Sequence, residues 1–259
     1  VSITLNKSNG KATFAVRFPT LEKGFYFIGT NPKNVRTLVL GGTEKEVVLK
    51  GSCANLKIAT TTSATDAIYL NAFQQIQKLE QDFNKQVSQY RAAKGDATKI
   101  AKVITAMKGI DDKRMTLLNE TVSKDVFIGK YIALHTYLSF HNNKGTYKNE
   151  IEYFGNEYLS KVNLADPEFA KIPFLFDRVS SYTITLASVG QTKEVQQAFS
   201  ERILATVPQG TKTHKCVLGA IASGHLQKQN NSLFINYAKQ YIELFGTQNP
   251  DIASQFSFQ

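Results

Sequence analysis

Histidines are the side chains in this sequence best suited to acid–base or metal chemistry, but their spacing matches no known site. The four are His135, His141, His214 and His225. No two of them flank a glutamate at i, i+4, the arrangement with which a helix binds catalytic zinc. His214 and His225 belong to one predicted helix, on which their separation spans about 16 Å, so they cannot share a metal ion. We therefore predict a structural or surface role for each histidine.

Cysteine chemistry would have to come from Cys53 and Cys216, because these are the only cysteines. They form no C-x-x-C pair, the pattern of a thioredoxin-like exchange site. Two separate thiols are the favoured interpretation. A disulfide between them is the alternative, and it needs Cα atoms within about 7 Å. His214 and Lys215 stand beside Cys216 and are of the type that lowers a thiol pKa, but we interpret them as the polar side of a helix start.

Other catalytic patterns are missing as well. The sequence contains no G-x-S-x-G, no Walker motif and no G-x-G-x-x-G. Glu150, Glu152 and Glu157 lie on one predicted aromatic helix, where a solvated face explains them. The many Phe and Tyr residues between positions 126 and 176 are typical of a helical core. We therefore predict no catalytic, metal-binding or cofactor-binding residue, and a chain that is not itself an enzyme.

The net charge of +10 raises the question of a polyanionic partner. Lys and Arg are spread along the chain, and the densest groups, at 108–114 and 144–148, are short and mixed with acids or amides. No RNA-binding aromatic strand, helix-turn-helix pattern or zinc-finger spacing is present. We predict a solvated basic surface and no nucleic-acid partner. No apolar run approaches the ~20 residues of a membrane-spanning helix, so no transmembrane segment is predicted.

The stretch that must organise the chain is 63–122, which predicts two long helices folded back on each other. Its first half repeats apolar residues in steps of three and four, which forms one continuous stripe. Ser63 followed by Asp66 resembles a capping box, and Gly95 with Asp96 suits the turn between the helices. A weak point is expected at Gly109. The stripe consists of Tyr69, Phe73, Ile76, Leu79, Phe83, Val87 and Tyr90.

Residues 1–60 predict an antiparallel β domain of about five short strands, either a small sandwich or an open meander. A glycine loop at 41–43 is expected to join two of the strands as a hairpin. Residues 51–62 look like a polar connector, so we place the domain boundary at residue 60. Strands are predicted at 13–18, 24–29, 35–40 and 46–50, with turns at 6–10 and 31–34.

Residues 61–259 predict a helical domain that opens with the hairpin. No fixed repeat near the tetratricopeptide length is present, so an irregular multi-helix bundle or a short helical array is expected. Together with the β domain this predicts an α+β fold. Further helices are predicted at 125–141, 147–162, 173–189, 193–207, 212–227 and 232–245, with a short turn opened by Asp166 and Pro167.

The order of these elements resembles the N-terminal region of TlpA/ResA-type thioredoxin-like proteins of Bacteroidetes. The β segment GFYFIGTNPKNVRTLVLGGTEKEVVLKGSC is similar to the β domain of that family. The helical segment KDVFIGKYIALHTYLSFHNN resembles the family pattern F-x-x-K-x-x-A-L-x-x-Y-L-S-x-x-N-N. DPEFAKIPFLFD and THKCVLGAIASGHLQKQNNSLFINYAKQYIELF resemble the later helices, so the likeness covers nearly the whole chain.

The resemblance implies a periplasmic or cell-envelope protein, of which this chain would be the N-terminal non-catalytic portion or a paralogue that lost the redox domain. In the family, a thioredoxin domain with a redox C-x-x-C follows such a helical region. This chain holds no C-x-x-C, so Cys53 and Cys216 do not correspond to the redox pair. The alternating pattern already begins at Val1, and we expect that a segment before it has been removed, either by processing or by the choice of the expressed sequence.

Three functions remain open. The leading one is a non-catalytic accessory or partner-recognition region of a thiol-disulfide oxidoreductase, with a following thioredoxin domain or protein substrates as partners. The alternative is a stand-alone helical scaffold that binds protein or peptide through a groove between helix pairs, which would present an apolar or aromatic concave patch. An enzyme with an unrecognised site is the third, and no group of residues at catalytic spacing supports it.

Overall fold

The computed structural model describes residues 6–8, 11–13, 22–31, 33–52 and 54–246. Short strands occupy the N-terminal part and helices the remainder, which confirms the predicted α+β class. The chain divides into two compact units, 1–66 and 67–259. This division falls inside the first turn of the long first helix, a few residues after the boundary predicted at residue 60.

The first unit consists of antiparallel hairpins: β1 pairs with β2, β3 with β4, and β5 with β6. β4 also lies beside β6, where Asn34 Oδ1 accepts a hydrogen bond from Leu56 N at 2.9 Å. The turn predicted at 31–34 is confirmed, because Asn31 Oδ1 accepts hydrogen bonds from the backbone N–H groups of Lys33 and Asn34. The strands are β1 Asn6–Ser8, β2 Lys11–Thr13, β3 Gly24–Asn31, β4 Asn34–Leu40, β5 Leu49–Ser52 and β6 Asn55–Thr61.

The hairpin predicted across the glycine loop 41–43 is wrong. Residues 46–48 are not a strand. β5 keeps only residues 49 and 50 of the strand predicted at 46–50, and it pairs with β6, which lies inside the stretch predicted as a connector. The Glu44 carboxylate accepts hydrogen bonds from Gly41 N and Thr43 N, which closes the loop on itself. The threonines at the end of β6 are β-branched and favour a strand, although their polarity had suggested a linker.

Two further strand predictions lie near the N-terminus. Asn6–Ser8 is a strand paired with Lys11–Thr13, where a turn over residues 6–10 had been predicted. Residues 9 and 10 lie outside the described part. The strand predicted at 13–18 coincides with the described structure only at residue 13, because residues 14–18 also lie outside it.

The start of α1 is fastened to β4 by a buried ion pair within the first unit. Asp66 accepts hydrogen bonds from the Arg36 guanidinium at 2.6 and 3.2 Å and from Val39 N at 2.9 Å. Ser63 Oγ accepts a hydrogen bond from Asp66 N at 3.3 Å, which confirms the predicted capping start. Each charge needs the other, because a buried ion without its partner is strongly unfavourable.

The second unit is helical, and α8 lies at its centre, packed against α6, α7, α9 and a 3₁₀ turn. None of the described helices combines the length and the apolar character needed to cross a bilayer. The helices are α1 Ala64–Ala92, α2 Ala97–Lys124, α3 Val126–His135, α4 Phe140–Asn143, α5 Glu150–Glu157, α6 Phe174–Ser188, α7 Lys193–Ala205, α8 Lys212–Gln227 and α9 Asn231–Phe245, with the 3₁₀ turn at Pro167–Lys171.

The long hairpin forms by the local signals that predicted it. Lys94 and Gly95 have φ values of 47° and 88°, the left-handed conformation that reverses the chain. Asp96 then caps α2 by accepting a hydrogen bond from the backbone at 3.0 Å. α2 runs unbroken past Gly109, where a weak point had been expected. The stripe members that are buried are Tyr69, Ile76 and Leu79.

The two helices predicted after the hairpin are shorter than expected. The helix predicted at 125–141 stops at His135 and resumes as α4, because Ser139 N leaves the helical pattern to bond the Asp111 carboxylate on α2 at 3.0 and 3.1 Å. The helix predicted at 147–162 contracts to α5. Asn149 starts α5 by accepting a hydrogen bond from Glu152 N at 2.9 Å.

Candidate functional site

The chemically richest group of side chains joins three helices of the second unit. Arg178 on α6 donates hydrogen bonds to Glu80 Oε1 on α1 at 3.1 Å and to His135 Nδ1 on α3. The imidazole Nδ1 lies 3.5 Å from Glu80 Oε1. The Tyr131 ring packs against the imidazole, with ring centroids 4.6 Å apart. Glu80, His135 and Arg178 are called the Glu80 cluster below.

Burial sets the protonation of the Glu80 cluster. It lowers the pKa of His135, and the charge of Arg178 acts in the same direction while Glu80 opposes both. The pKa of Glu80 is lowered by the adjacent His135 side chain and by the charge of Arg178, which together outweigh the opposing effect of burial. At neutral pH the cluster is therefore a carboxylate, a neutral imidazole and a guanidinium. Because Nδ1 accepts from Arg178, the imidazole proton resides on Nε2.

A neutral histidine beside a carboxylate has the composition of an acid–base site. The Glu80 side chain is 42% exposed, but the imidazole nitrogens are not free to reach a substrate. Nδ1 is engaged by Arg178, and Nε2 is buried with no hydrogen-bond partner among the described residues. The adjoining cavity measures about 10 Å³, the space of one water molecule. It is lined by Glu80, His135, Arg114, Thr136 and apolar side chains of α1, α2 and α3. The cluster ties α1, α3 and α6 together.

A second polar group fixes the short helix α4 to α2. The buried Asp111 carboxylate accepts hydrogen bonds from Ser139 Oγ at 2.5 Å and from Asn143 Nδ2 at 3.0 Å, besides those from Ser139 N. Asn142 Nδ2 donates to Ile104 O at 3.0 Å. Burial raises the pKa of Asp111 in spite of these hydrogen bonds. The group replaces the helical hydrogen bonds lost between α3 and α4.

A third polar group joins α3 to the 3₁₀ turn. Lys130 Nζ forms ion pairs with Asp166 at 2.6 Å and with Glu168. Burial lowers the pKa of Lys130, but the two carboxylates outweigh it and leave the pKa raised. Lys130 and Asp166 both belong to the segments that carry the family resemblance, as do Ser139, Asn142 and Asn143. In the structure the polar groups of these residues bond other helices or turns.

The residues around the start of α8 are structural. Thr211 caps the helix, and His214 Nδ1 accepts a hydrogen bond from Gly210 N at 3.2 Å. His214 is buried, so its predicted place on the polar side of the helix is wrong. Cys216 is a half-buried free thiol whose pKa burial raises to about 11, which makes it a poor nucleophile at neutral pH. Cys53 lies outside the described residues.

His225 is the most deeply buried histidine. It is fully inaccessible, and neither ring nitrogen has a hydrogen-bond partner among the described residues. Its ring stacks on Tyr237 with a centroid distance of 5.5 Å and an interplanar angle of 9°. Burial lowers its pKa to about 4, so the imidazole is neutral at pH 7. It acts as a flat core side chain.

The remaining candidates also serve structure. His141 packs against the Tyr90 ring at 4.6 Å. Glu152 accepts a hydrogen bond from Lys148 N at 2.9 Å, and Glu157 accepts one from the Tyr147 hydroxyl at 2.7 Å. The face predicted to be merely solvated therefore anchors the segment that leads into α5.

Sequence reasoning missed Glu80, Asp111 and Arg178 as organising residues. Arg178 and Glu80 are 98 residues apart, so no local spacing reveals their contact. A signal was nevertheless present, because Glu80 stands four residues after the stripe residue Ile76, and Asp111 four residues after the buried Met107. A charged residue on an apolar helix face needs a partner once that face is buried.

Neither a metal-binding cluster among the described residues nor a similarity to a known protein points to a further site. Within the described ranges no three His, Cys, Asp or Glu side chains converge in a way that would hold a metal ion. No protein-family model, curated protein or solved structure matches the chain.

Proposed function

We propose that this chain is a non-catalytic, partner-recognition region of a cell-envelope thioredoxin-like thiol-disulfide oxidoreductase. The supporting observation concerns the polar residues in the segments that resemble the family. Lys130, Ser139 and Asn143 form ion pairs or hydrogen bonds with other helices or turns. Motifs of this kind specify an architecture, which is what a recognition region preceding a redox domain needs.

The state of the thiol and imidazole side chains agrees with a non-catalytic role. Cys216 is held as a thiol by burial. The imidazoles of His135 and His225 are neutral, and their ring nitrogens are buried or bonded to Arg178. A thiol-exchange enzyme needs an accessible thiolate, and an acid–base enzyme needs an imidazole that reaches its substrate. The partner supplies the redox chemistry in this proposal.

The test has a catalytic arm and a binding arm. In an insulin-reduction assay with dithiothreitol, the chain should give no precipitation above background, and Cys216→Ser should behave identically. Binding of the chain to a purified TlpA/ResA-type thioredoxin domain, and to reduced, unfolded ribonuclease A, is then measured by calorimetry. The proposal expects saturable binding to at least one of them. Insulin reduction that requires both cysteines would refute the proposal. Failure of the chain to bind both probes would refute it as well.

A stand-alone peptide-binding scaffold is the second candidate, and a groove between α1 and α2 favours it. The groove has a volume of about 250 Å³. Its apolar lining is provided by Ile68, Ala72 and Leu117, and Asn71 and Gln75 lie on its α1 side. Peptides selected on the chain from a random display library should lose binding to Asn71→Trp, which fills the groove. Equal binding to the variant would exclude this groove as the peptide site.

A further inference from the structure

The far end of the α1–α2 hairpin concentrates positive charge. Residues 84–103 contain five basic side chains and one acidic side chain, a net charge of +4 for this segment. The basic side chains are separated in sequence, but the reversal at Gly95 brings them to one end of the hairpin. All five are exposed, and together they are called the basic tip: Lys85, Arg91, Lys94, Lys99 and Lys102.

Most cations of the basic tip are unneutralised. Lys99 forms an exposed ion pair with Asp96 at 3.1 Å, and Asp96 also caps α2. The side chains of the other four basic residues form no ion pair or hydrogen bond with any described residue. Further along α2, by contrast, Lys108 pairs with Asp112 at 3.0 Å. The charge at the tip is therefore less balanced than on the rest of α2, where residues 104–124 contain four basic and three acidic side chains.

The end of the hairpin, at 91–103, makes no polar or ring contact with the described helices that follow it. Residues within ten positions of Gly95 lie within about 15 Å of the turn along the helix axes. Two contacts with later helices lie nearest the tip. The Tyr90 ring packs against His141 with a centroid distance of 4.6 Å, and Ile104 O accepts a hydrogen bond from Asn142 at 3.0 Å. Throughout 91–103, a fully described segment, no hydrogen bond, ion pair or ring contact reaches a later helix.

We propose that the basic tip docks on an anionic lipid bilayer. A plane of phosphates complements a blunt end that carries several exposed cations, and each Lys or Arg near such a surface strengthens binding. Single-stranded nucleic acid is usually bound by stacking on aromatic side chains, and the one such side chain within residues 84–103, Tyr90, already packs against His141. No large apolar side chain is exposed there either, so the docking is electrostatic and reversible. This inference does not depend on the proposed partner recognition.

The experiment is vesicle co-sedimentation of the full chain. Vesicles of phosphatidylcholine with roughly 30% phosphatidylglycerol are compared with pure phosphatidylcholine, at low and at high salt. The test variant replaces Arg91, Lys94, Lys99 and Lys102 by Gln, which keeps helix propensity and removes four charges. The control variant removes four exposed charges elsewhere and has the same net charge; its changes are Lys161→Gln, Lys212→Gln, Lys228→Gln and Lys239→Gln.

The wild-type chain and the control variant should bind anionic vesicles at low salt, and neither should bind pure phosphatidylcholine. Each tip charge is worth about fivefold in partitioning, so the tip variant should bind several hundredfold more weakly. Circular dichroism establishes that both variants are folded. Equal losses in the two variants would mean that only total charge matters, and they would overturn the proposal. Tighter binding of the tip to a short DNA or RNA duplex than to anionic vesicles would overturn it as well.

Discussion

Replacing His225 by Phe tests whether the core of the second unit holds a neutral imidazole. The ring is fully buried, stacks on Tyr237, and has no hydrogen-bond partner for either nitrogen among the described residues. Burial lowers its pKa to about 4. Phenylalanine keeps a flat ring against Tyr237 and cannot take up a proton, so the variant isolates the effect of protonation from that of packing.

The expected effect follows from the difference between the folded and unfolded states. An exposed histidine in the unfolded chain has a pKa of about 6.5. Above that pH the imidazole is neutral in both states and adds no pH dependence. Below it the unfolded chain binds a proton that the folded protein does not, so the free energy of unfolding falls with pH until about pH 4. The loss amounts to about 2 kcal/mol at pH 5 and approaches about 3 kcal/mol at lower pH.

The assay is urea unfolding of wild type and His225→Phe at a series of pH values from about 7.5 down to 5. The free energy of unfolding of the variant minus that of wild type should rise by about 2 kcal/mol over this range. Taking the difference removes the contributions of His135 and His214, whose pKa values are also lowered and which both proteins retain. The packing of the larger phenylalanine ring shifts the stability difference by the same amount at every pH, so the dependence of that difference on pH is unaffected.

Tyr237→Phe is the matched control, because it keeps the stacked ring and the histidine and removes only the hydroxyl that bonds Glu201 at 3.2 Å. It should retain the pH dependence of wild type. If the stability difference between wild type and His225→Phe stays constant from pH 7.5 to 5, the imidazole does not titrate differently in the two states. The burial argument for His225 would then be refuted.

Two further predictions concern buried charge and helix packing. Asp66→Asn leaves the buried Arg36 charge without its partner and should destabilise the protein by about 3–5 kcal/mol in urea unfolding. The double variant Arg36→Met with Asp66→Leu should recover most of the lost stability. Equal stability of Asp66→Asn and wild type would contradict the buried ion pair. Gly224→Ala should lower stability by about 1–3 kcal/mol, because a Cβ there would lie 2.6 Å from Thr183 Cβ. At Gly109 an added Cβ would have no neighbouring atom within 4 Å, so Gly109→Ala should raise the free energy of unfolding by about 0.5–1 kcal/mol. Similar effects of the two glycine substitutions would disprove the difference in packing.

Helix positions and the α+β class followed from the sequence because their causes are local. The three- and four-residue spacing of α1, the Asp96 cap and the Gly95 reversal lie within a few residues of the structure that they specify. The same holds for α6, which begins after Pro173 and is followed by Gly190 with a φ of 74°. Such local patterns predict where a helix begins and ends without any knowledge of what the helix packs against.

The errors arose where a distant residue competes with a local preference. The helix predicted at 125–141 breaks because Asp111, 28 residues before Ser139, draws the Ser139 backbone out of the helical pattern. β5 pairs with β6 and not with β4, although the glycine loop suggested the nearer partner. A propensity scale cannot weigh such contacts, because their energy exists only once both segments are in place.

The same division applies to chemistry. Sequence alone showed which residue types were present, that no C-x-x-C or zinc-binding pattern joined them, and that the net charge was +10. Only the tertiary structure decided that His225 is enclosed and neutral, that Glu80 meets Arg178 across 98 residues, and that five separated cations share one hairpin end. Protonation state and local charge depend on burial and on neighbours in space, and those are properties of the folded chain.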